Sequence, residues 1–296
     1  MTKYRQNTQK NRLFTSKRRR FYSFVAQVSL GLLYSVVFTL VPCLAQENVS
    51  PKPELVTDRP DQTESSVVVP PGYVQVETGW SLSRHQEGGI RTNTHTFPGT
   101  LFRIGALDRM ELRLDYGGVL WEQTRAAGQT TDTSGSGDMG IGAKIYFWEE
   151  QGWIPETALL AGVSLPVGKE QFSSGRADPT FRFSLSHTLS DRLSFGYNLG
   201  ATWESTLDES NDRDTLSLFN YTAVLGIGLT ERAGLFVEAF GDIPFNAQGG
   251  PRNSLDGGFT YLIRDNLQID GFAGVGLSDS ADDWFVGLGF TDRFPR

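Results

Sequence analysis

Between Leu193 and Glu204 the chain alternates without a break. Leu193, Phe195, Tyr197, Leu199, Ala201 and Trp203 fall on one parity, and Ser194, Gly196, Asn198, Gly200, Thr202 and Glu204 on the other. A strand places successive side chains on opposite faces, so this pattern predicts a strand that is apolar on one face and small or polar on the other. The pattern recurs in 138–147, 180–189, 267–277 and 284–290. Twelve strands are predicted, near 73–84, 94–105, 110–121, 137–148, 154–165, 180–190, 193–204, 215–229, 233–242, 254–263, 267–277 and 283–294. At about 10–15 residues each they exceed the usual strand of about 5–6.

The predicted connections alternate in length. Short ones fall at Ala106–Arg109, Glu149–Gly152, Ser190–Arg192, Thr230–Arg232 and Arg264–Asn266. Longer ones are expected near 85–93, 122–136, 166–179, 205–214, 243–253 and 278–282. A soluble sandwich has no reason to gather its long loops at one end. A transmembrane barrel does, with short periplasmic turns and longer outer loops. The strand lengths also fit a bilayer, which needs about 9–11 tilted residues per strand. Lipid tolerates no unpaired backbone, so such a sheet must close. Trp121, Trp148, Trp153, Trp203 and Trp284 lie near predicted strand ends, where an interfacial girdle would sit. The expected fold is all-β: one closed antiparallel transmembrane barrel of about twelve strands over 73–296, in the outer membrane of a Gram-negative-type bacterium, with lipid on the apolar parity.

Composition sharpens this. The 296 residues include 33 Gly, which disfavours a helical protein because glycine costs about 1 kcal/mol inside a helix. Residues 1–20 carry eight Lys or Arg and no acid, and residues 21–45 carry no charge. A basic stretch, an apolar stretch and Ala45 read as an export signal over 1–45, with an uncleaved helical anchor as the alternative. Cleavage after Ala45 would remove Cys43, the single cysteine, so the exported chain would use no disulfide. It would also leave 19 of the 27 basic residues against 34 acidic ones. That balance argues against nucleic acid as a partner.

Parity places Glu77, Arg103, Glu111, Arg113, Asp115, Asp138, Lys144, Glu156, Arg182, Glu238, Asp256 and Asp270 in the lumen. Charges confined there must pair or stay wet. They either select a solute passing through a polar conduit or fill a narrow barrel with ion pairs. Residues 46–72 are Pro-rich and charged. They read first as a solvated periplasmic tail. The alternative is a lumen plug in which Asp58, Arg59, Asp61 and Glu64 pair with charges of the wall.

Enzyme chemistry finds little support. The chain has three histidines, of which His85 and His95 lie near an outer loop and His187 lies on the apolar parity. Ser184 and Ser186, the serines nearest His187, point to the other face, so no nucleophile faces that base. No His pair shows ligand spacing, so neither a metal nor a cofactor is expected. The expected partners are membrane lipid, the outer-membrane barrel assembly machinery and a small-molecule solute.

The segment "TDRPDQTES" (57–65) followed by "VPPGYVQVE" (69–77) resembles the start of an outer-membrane transporter family known as "MetA-pathway of phenol degradation". The stretches "SGSGDMGIGAKIYF" (134–147), "AGVSLPVG" (161–168) and "DWFVGLGFTDRF" (283–294) are similar to it as well. The resemblance spans about 55–296 and implies a channel or transporter for small compounds, aromatic or hydrophobic ones among them. A closed structural or surface-binding barrel is the alternative. Outer-membrane barrels usually end on an aromatic that the assembly machinery reads, whereas Phe294 is followed here by Pro295-Arg296.

Overall fold

The computed structural model describes residues 53–207, 213–246 and 250–295. The export signal expected over 1–45 lies outside the described residues. Fourteen strand segments form one sheet: β1 (Tyr73–Glu87), β2 (Ile90–Leu107), β3 (Met110–Tyr116), β4 (Val119–Ala126), β5 (Gln129–Ser136), β6 (Met139–Trp148), β7 (Glu156–Leu165), β8 (Asp178–Ser190), β9 (Leu193–Leu207), β10 (Arg213–Gly228), β11 (Ala233–Pro244), β12 (Arg252–Arg264), β13 (Leu267–Gly276) and β14 (Trp284–Pro295).

All pairings are antiparallel. β1 pairs with β2 on one side and with β14 on the other, so the sheet closes. β2 pairs with β3 through Thr100–Leu107 and with β4 through Arg91–Phe97. β3 and β4 are therefore two halves of one wall strand, and β6 and β5 are the two halves of the next. The result is a closed twelve-strand antiparallel barrel, as the alternation predicts. Both breaks occur at glycine. Gly118 has φ +81°, a conformation that glycine adopts without strain. Across the break Gly117 N–H donates to Asp138 O at 2.9 Å and Gly137 N–H to Gly118 O at 2.8 Å, so the wall bends without opening.

Two expected loops are strands instead. β1 and β2 continue to a two-residue turn at Gly88-Gly89, with φ +55° and +81°. β4 and β5 meet at Ala127-Gly128, with φ 50° and 79°. Positive φ at both central residues marks the tight turn whose twist suits a hairpin. These hairpins extend past the apolar zone, where both faces are polar and no alternation marks the strand. The connection expected at 149–152 is longer, with β7 starting only at Glu156 and an isolated bridge joining Gln151 to Ile154.

Burial is inverted relative to a water-soluble fold. Arg103, Glu111 and Lys144 have 0 % relative exposure, whereas Leu288 has 54 %, Ile141 48 % and Phe290 45 %. Large apolar side chains facing outward on every side of a closed sheet require a hydrocarbon environment. Trp121, Trp148 and Trp203 are exposed near strand ends, and Trp153 protrudes from the β6–β7 turn.

Candidate functional site: the lumen and the segment across it

Residues 53–71 form no strand, yet they are not a solvated tail. Asp58, Thr63, Ser66 and Val69 are buried. The segment bonds to the inner face of β1, β2, β3, β6, β8, β9, β10, β11, β13 and β14, which means that it crosses the lumen. Two glycines of the wall make room for it: a Cβ at Gly79 would stand 2.7 Å from Arg59 Nη2, and one at Gly289 would also strike that guanidinium.

One side of the lumen is an ion-pair network around Asp58. Its carboxylate lies 2.6 Å from Arg113, 2.8 Å from Lys144 and 3.2 Å from Arg103. Arg103 also contacts Glu77 at 3.0 Å and Glu111 at 2.9 Å, and Arg113 contacts Glu64 at 2.7 Å. The segment's backbone completes the set. Asp58 N–H donates to both oxygens of Glu77, and Val69 N–H donates to Glu111 at 2.7 Å. Arg103 donates to Val56 O and Val67 O. Every charge here has an opposite charge within 3.2 Å, and Asp58, Glu77, Arg103, Glu111 and Lys144 have neutral partners as well, the condition under which a buried ion pair is not a net cost.

The other side is different. Arg59 pairs with Asp270 at 2.9 Å, Gln62 N–H donates to Glu238 at 2.7 Å and Thr63 Oγ1 donates to Glu238 at 2.5 Å. Glu238 sits directly opposite Asp256 in the ladder, and both are buried. Neither carboxylate oxygen of Asp256 has a hydrogen-bond partner among the described residues. Asp61 has no ion pair among the described residues and lies in the field of Glu238 and Asp256.

Not every lumen candidate joins these clusters. Asp115 is exposed and makes no ion pair among the described residues. Asp138 ties down the β7–β8 loop, accepting from Gly168 N–H at 2.9 Å, Ser173 Oγ at 3.1 Å and Ser174 N–H at 3.2 Å. Glu156 accepts from Ser186 Oγ at 3.0 Å. Arg182 is half-buried and makes no hydrogen bond or ion pair with the described residues. His187, on the outer face, lies 3.3 Å from Glu150 and stacks on Tyr197. The carboxyl of Glu150, at the β6–β7 turn, is held below its ordinary range chiefly by the Thr188 N–H.

On the loop side of the segment lies a cavity of about 450 Å³, floored by Gln62 and walled by His85, Phe240, Asp242, Arg252, Asp282 and Phe285. Phe285 packs edge-on to Phe240 at 5.9 Å and lies 6.2 Å from Phe272. These rings share the lumen parity with Glu238 and Asp270, on strands whose inner face is otherwise rich in glycine. Gly274 accommodates Phe285, and Gly287 accommodates Phe272; a Cβ at either would collide with the ring. The signal was available in sequence: Phe285 opposes Trp284 and Val286, and the run from Leu267 to Leu277 puts Phe272 with Gln268 and Asp270. Burial raises the Asp282 carboxyl above its ordinary range.

A closed twelve-strand wall, a hydrocarbon-facing exterior and a charged, occupied interior define an outer-membrane-type β-barrel. The family described as "Putative MetA-pathway of phenol degradation" matches residues 57–294, and the chain belongs to it. Among solved structures, an outer membrane channel from Pseudomonas putida F1 is similar with a TM-score of 0.59 and 14% identity, covering 77% of this chain and 97% of that one. The NanC porin aligns with a TM-score of 0.47 at 9% identity, over 74% of this chain and 98% of its own. The CymD monoaromatic hydrocarbon channel aligns at 0.42 and 8% identity, over 77% and 90%. No curated protein sequence matches the chain.

Proposed function

We propose that the protein is an outer-membrane channel for passive passage of small molecules, held shut at rest by residues 53–70 acting as a plug. The observation that carries this is the inserted segment, which bonds across the lumen to both walls. Twelve strands leave an interior that side chains can largely fill, so the segment decides whether a path exists. The cavity above it offers phenylalanine rings beside His85 and Arg252, a lining suited to compact, partly aromatic solutes. The family's link to phenol degradation agrees with that lining. Short turns then face the periplasm and the extended hairpins face outward, as in outer-membrane barrels generally. Phe294, on the outer face of β14 and 45 % exposed, is the aromatic that the assembly machinery would read.

A closed structural barrel is the competing reading, favoured by how completely the charges around Asp58 are satisfied. Conductance in planar bilayers separates the two. The full chain should show small, infrequent openings, and removing residues 46–70 should raise unitary conductance several-fold. A folded deletion protein that conducts no better, and admits no solute in liposome swelling, would exclude the channel.

A further inference from the structure

The hairpins that continue past the apolar zone carry an arrangement on their outer face that the lumen does not use. Register orders it in three rows. Nearest the apolar zone, Leu82, His95, Trp121 and Ser134 align across β1, β2, β4 and β5. In the next row stand Trp284, Arg84, Asn93, Gln123 and Asp132. The third is Gln86, Arg91, Arg125 and Thr130. The first two rows, joined by Glu122 and Thr133 between them, line a second cavity of about 450 Å³; the rows face the outside of the barrel, and the cavity opens there. It is apolar on its membrane side and polar on its far side.

Arg91 and Arg125 are direct cross-strand partners on the same face. Like charges in that position repel. Arg91 Nε donates to Gln86, the Arg125 guanidinium has no hydrogen bond among the described residues, and neither has an ion pair there. Arg84 lies over the Trp284 ring at 5.0 Å and donates to Asn93, leaving the rest of its guanidinium free. Asp132, the acid of this face, is engaged by Gln123 Nε2 at 3.0 Å. Glu87 and Glu122 have the opposite parity and point inward. A pair of facing arginines with no ion pair among the described residues, above a groove with a tryptophan floor, matches an amphiphile whose head bears phosphate.

We propose that this outer face binds the phosphorylated headgroup of a glycolipid in the surrounding leaflet, with Arg91 and Arg125 holding phosphate and the Trp121–Trp284 groove holding the adjoining apolar portion. The site rests on the membrane orientation of the channel reading but not on conduction.

The test uses the full-length protein in detergent, with diphosphorylated lipid A and its enzymatically dephosphorylated form as probes, read by native mass spectrometry. The diphosphorylated lipid should be retained at least tenfold better. R91Q/R125Q should abolish that preference, whereas R109Q/R192Q at the short-turn end should keep it. Equal retention of both lipids, or an unaffected R91Q/R125Q protein, would overturn the site. So would competition by inorganic phosphate at equal concentration, which would mark a free-anion site instead. Surface labelling of intact cells at Gly128→Cys tests orientation separately, and bilayer conductance of R91Q/R125Q, expected unchanged, keeps this result apart from the channel reading.

Discussion

Along β1, β2, β3 and β6 the inserted segment meets three cations, Arg103, Arg113 and Lys144, and its Asp58 reaches all of them. Along β11 and β12 the same segment meets two opposed carboxylates, Glu238 and Asp256; it offers Glu238 a backbone N–H and a hydroxyl and sets a further acid, Asp61, in the field of both. One wall holds the segment through opposite charge. The other holds it through a single ion pair among the described residues, Arg59–Asp270, carries surplus negative charge and, a few residues toward the loops, has phenylalanine rings and an open cavity. On the channel reading the two walls do different work: the cationic one holds the segment most tightly, and the acidic, aromatic one borders the space a solute can enter. A path opening through this barrel should therefore run along β11 and β12, with the segment hinged on the Asp58 side.

The largest effect should come from breaking the anchor in the wall itself. Arg103→Met leaves Asp58, Glu77 and Glu111 without the guanidinium they share. Removing one member of a buried charged set costs about 3–5 kcal/mol. The urea midpoint of the barrel refolded in lipid vesicles should fall accordingly. A change under 1 kcal/mol would mean that water already screens this wall.

Asp58→Asn acts on the segment rather than on the barrel. It removes the charge that three cations share and weakens the segment's hold by about 2–3 kcal/mol. That corresponds to roughly a thirty- to 150-fold rise in the released population. Open probability in bilayers should increase while the unfolding midpoint moves less than in Arg103→Met. Parallel changes in both readouts would show that segment and wall unfold as one unit and that release is not a separate event.

The two walls were not equally legible in the sequence. Period-two alternation exposes the barrel because lipid on one face imposes it on every residue of the span, and it places Glu77, Arg103, Lys144 and Glu238 inward. It fails where that constraint ends. The hairpins at Gly88-Gly89 and Ala127-Gly128 are wetted on both sides, so residues such as Thr92, Thr124 and Thr131 carry no sign of facing. It is equally blind to the segment over 53–71, which has no period because it is neither strand nor helix. There the informative feature was chemical: Asp58, Arg59 and Glu64 have counter-charges waiting on the lumen parity, yet sequence alone cannot say that an irregular chain turns inward. The aromatic lining was overlooked for a related reason. Phe272 and Phe285 stand on a face otherwise built of Gly and polar residues, and a rule that assigns apolar side chains to lipid discounts them.

The smallest effect tests the acidic wall. Glu238 and Asp256 face each other across β11 and β12, and the Asp256 oxygens find no donor. Two carboxylates in this position repel. Asp256→Asn removes one charge, keeps the shape and supplies an N–H₂ group that can donate to Glu238. If the pair is a standing strain, the variant should be more stable by roughly 0.5–1 kcal/mol, the usual scale for a cross-strand pair or a single hydrogen bond. It should appear as a higher urea midpoint at unchanged slope. Loss of stability by a similar amount would mean that the two acids hold something between them, a proton or a cation, and that this wall too is paired. The contrast between the walls would then vanish, and with it the reason to route a solute along β11 and β12.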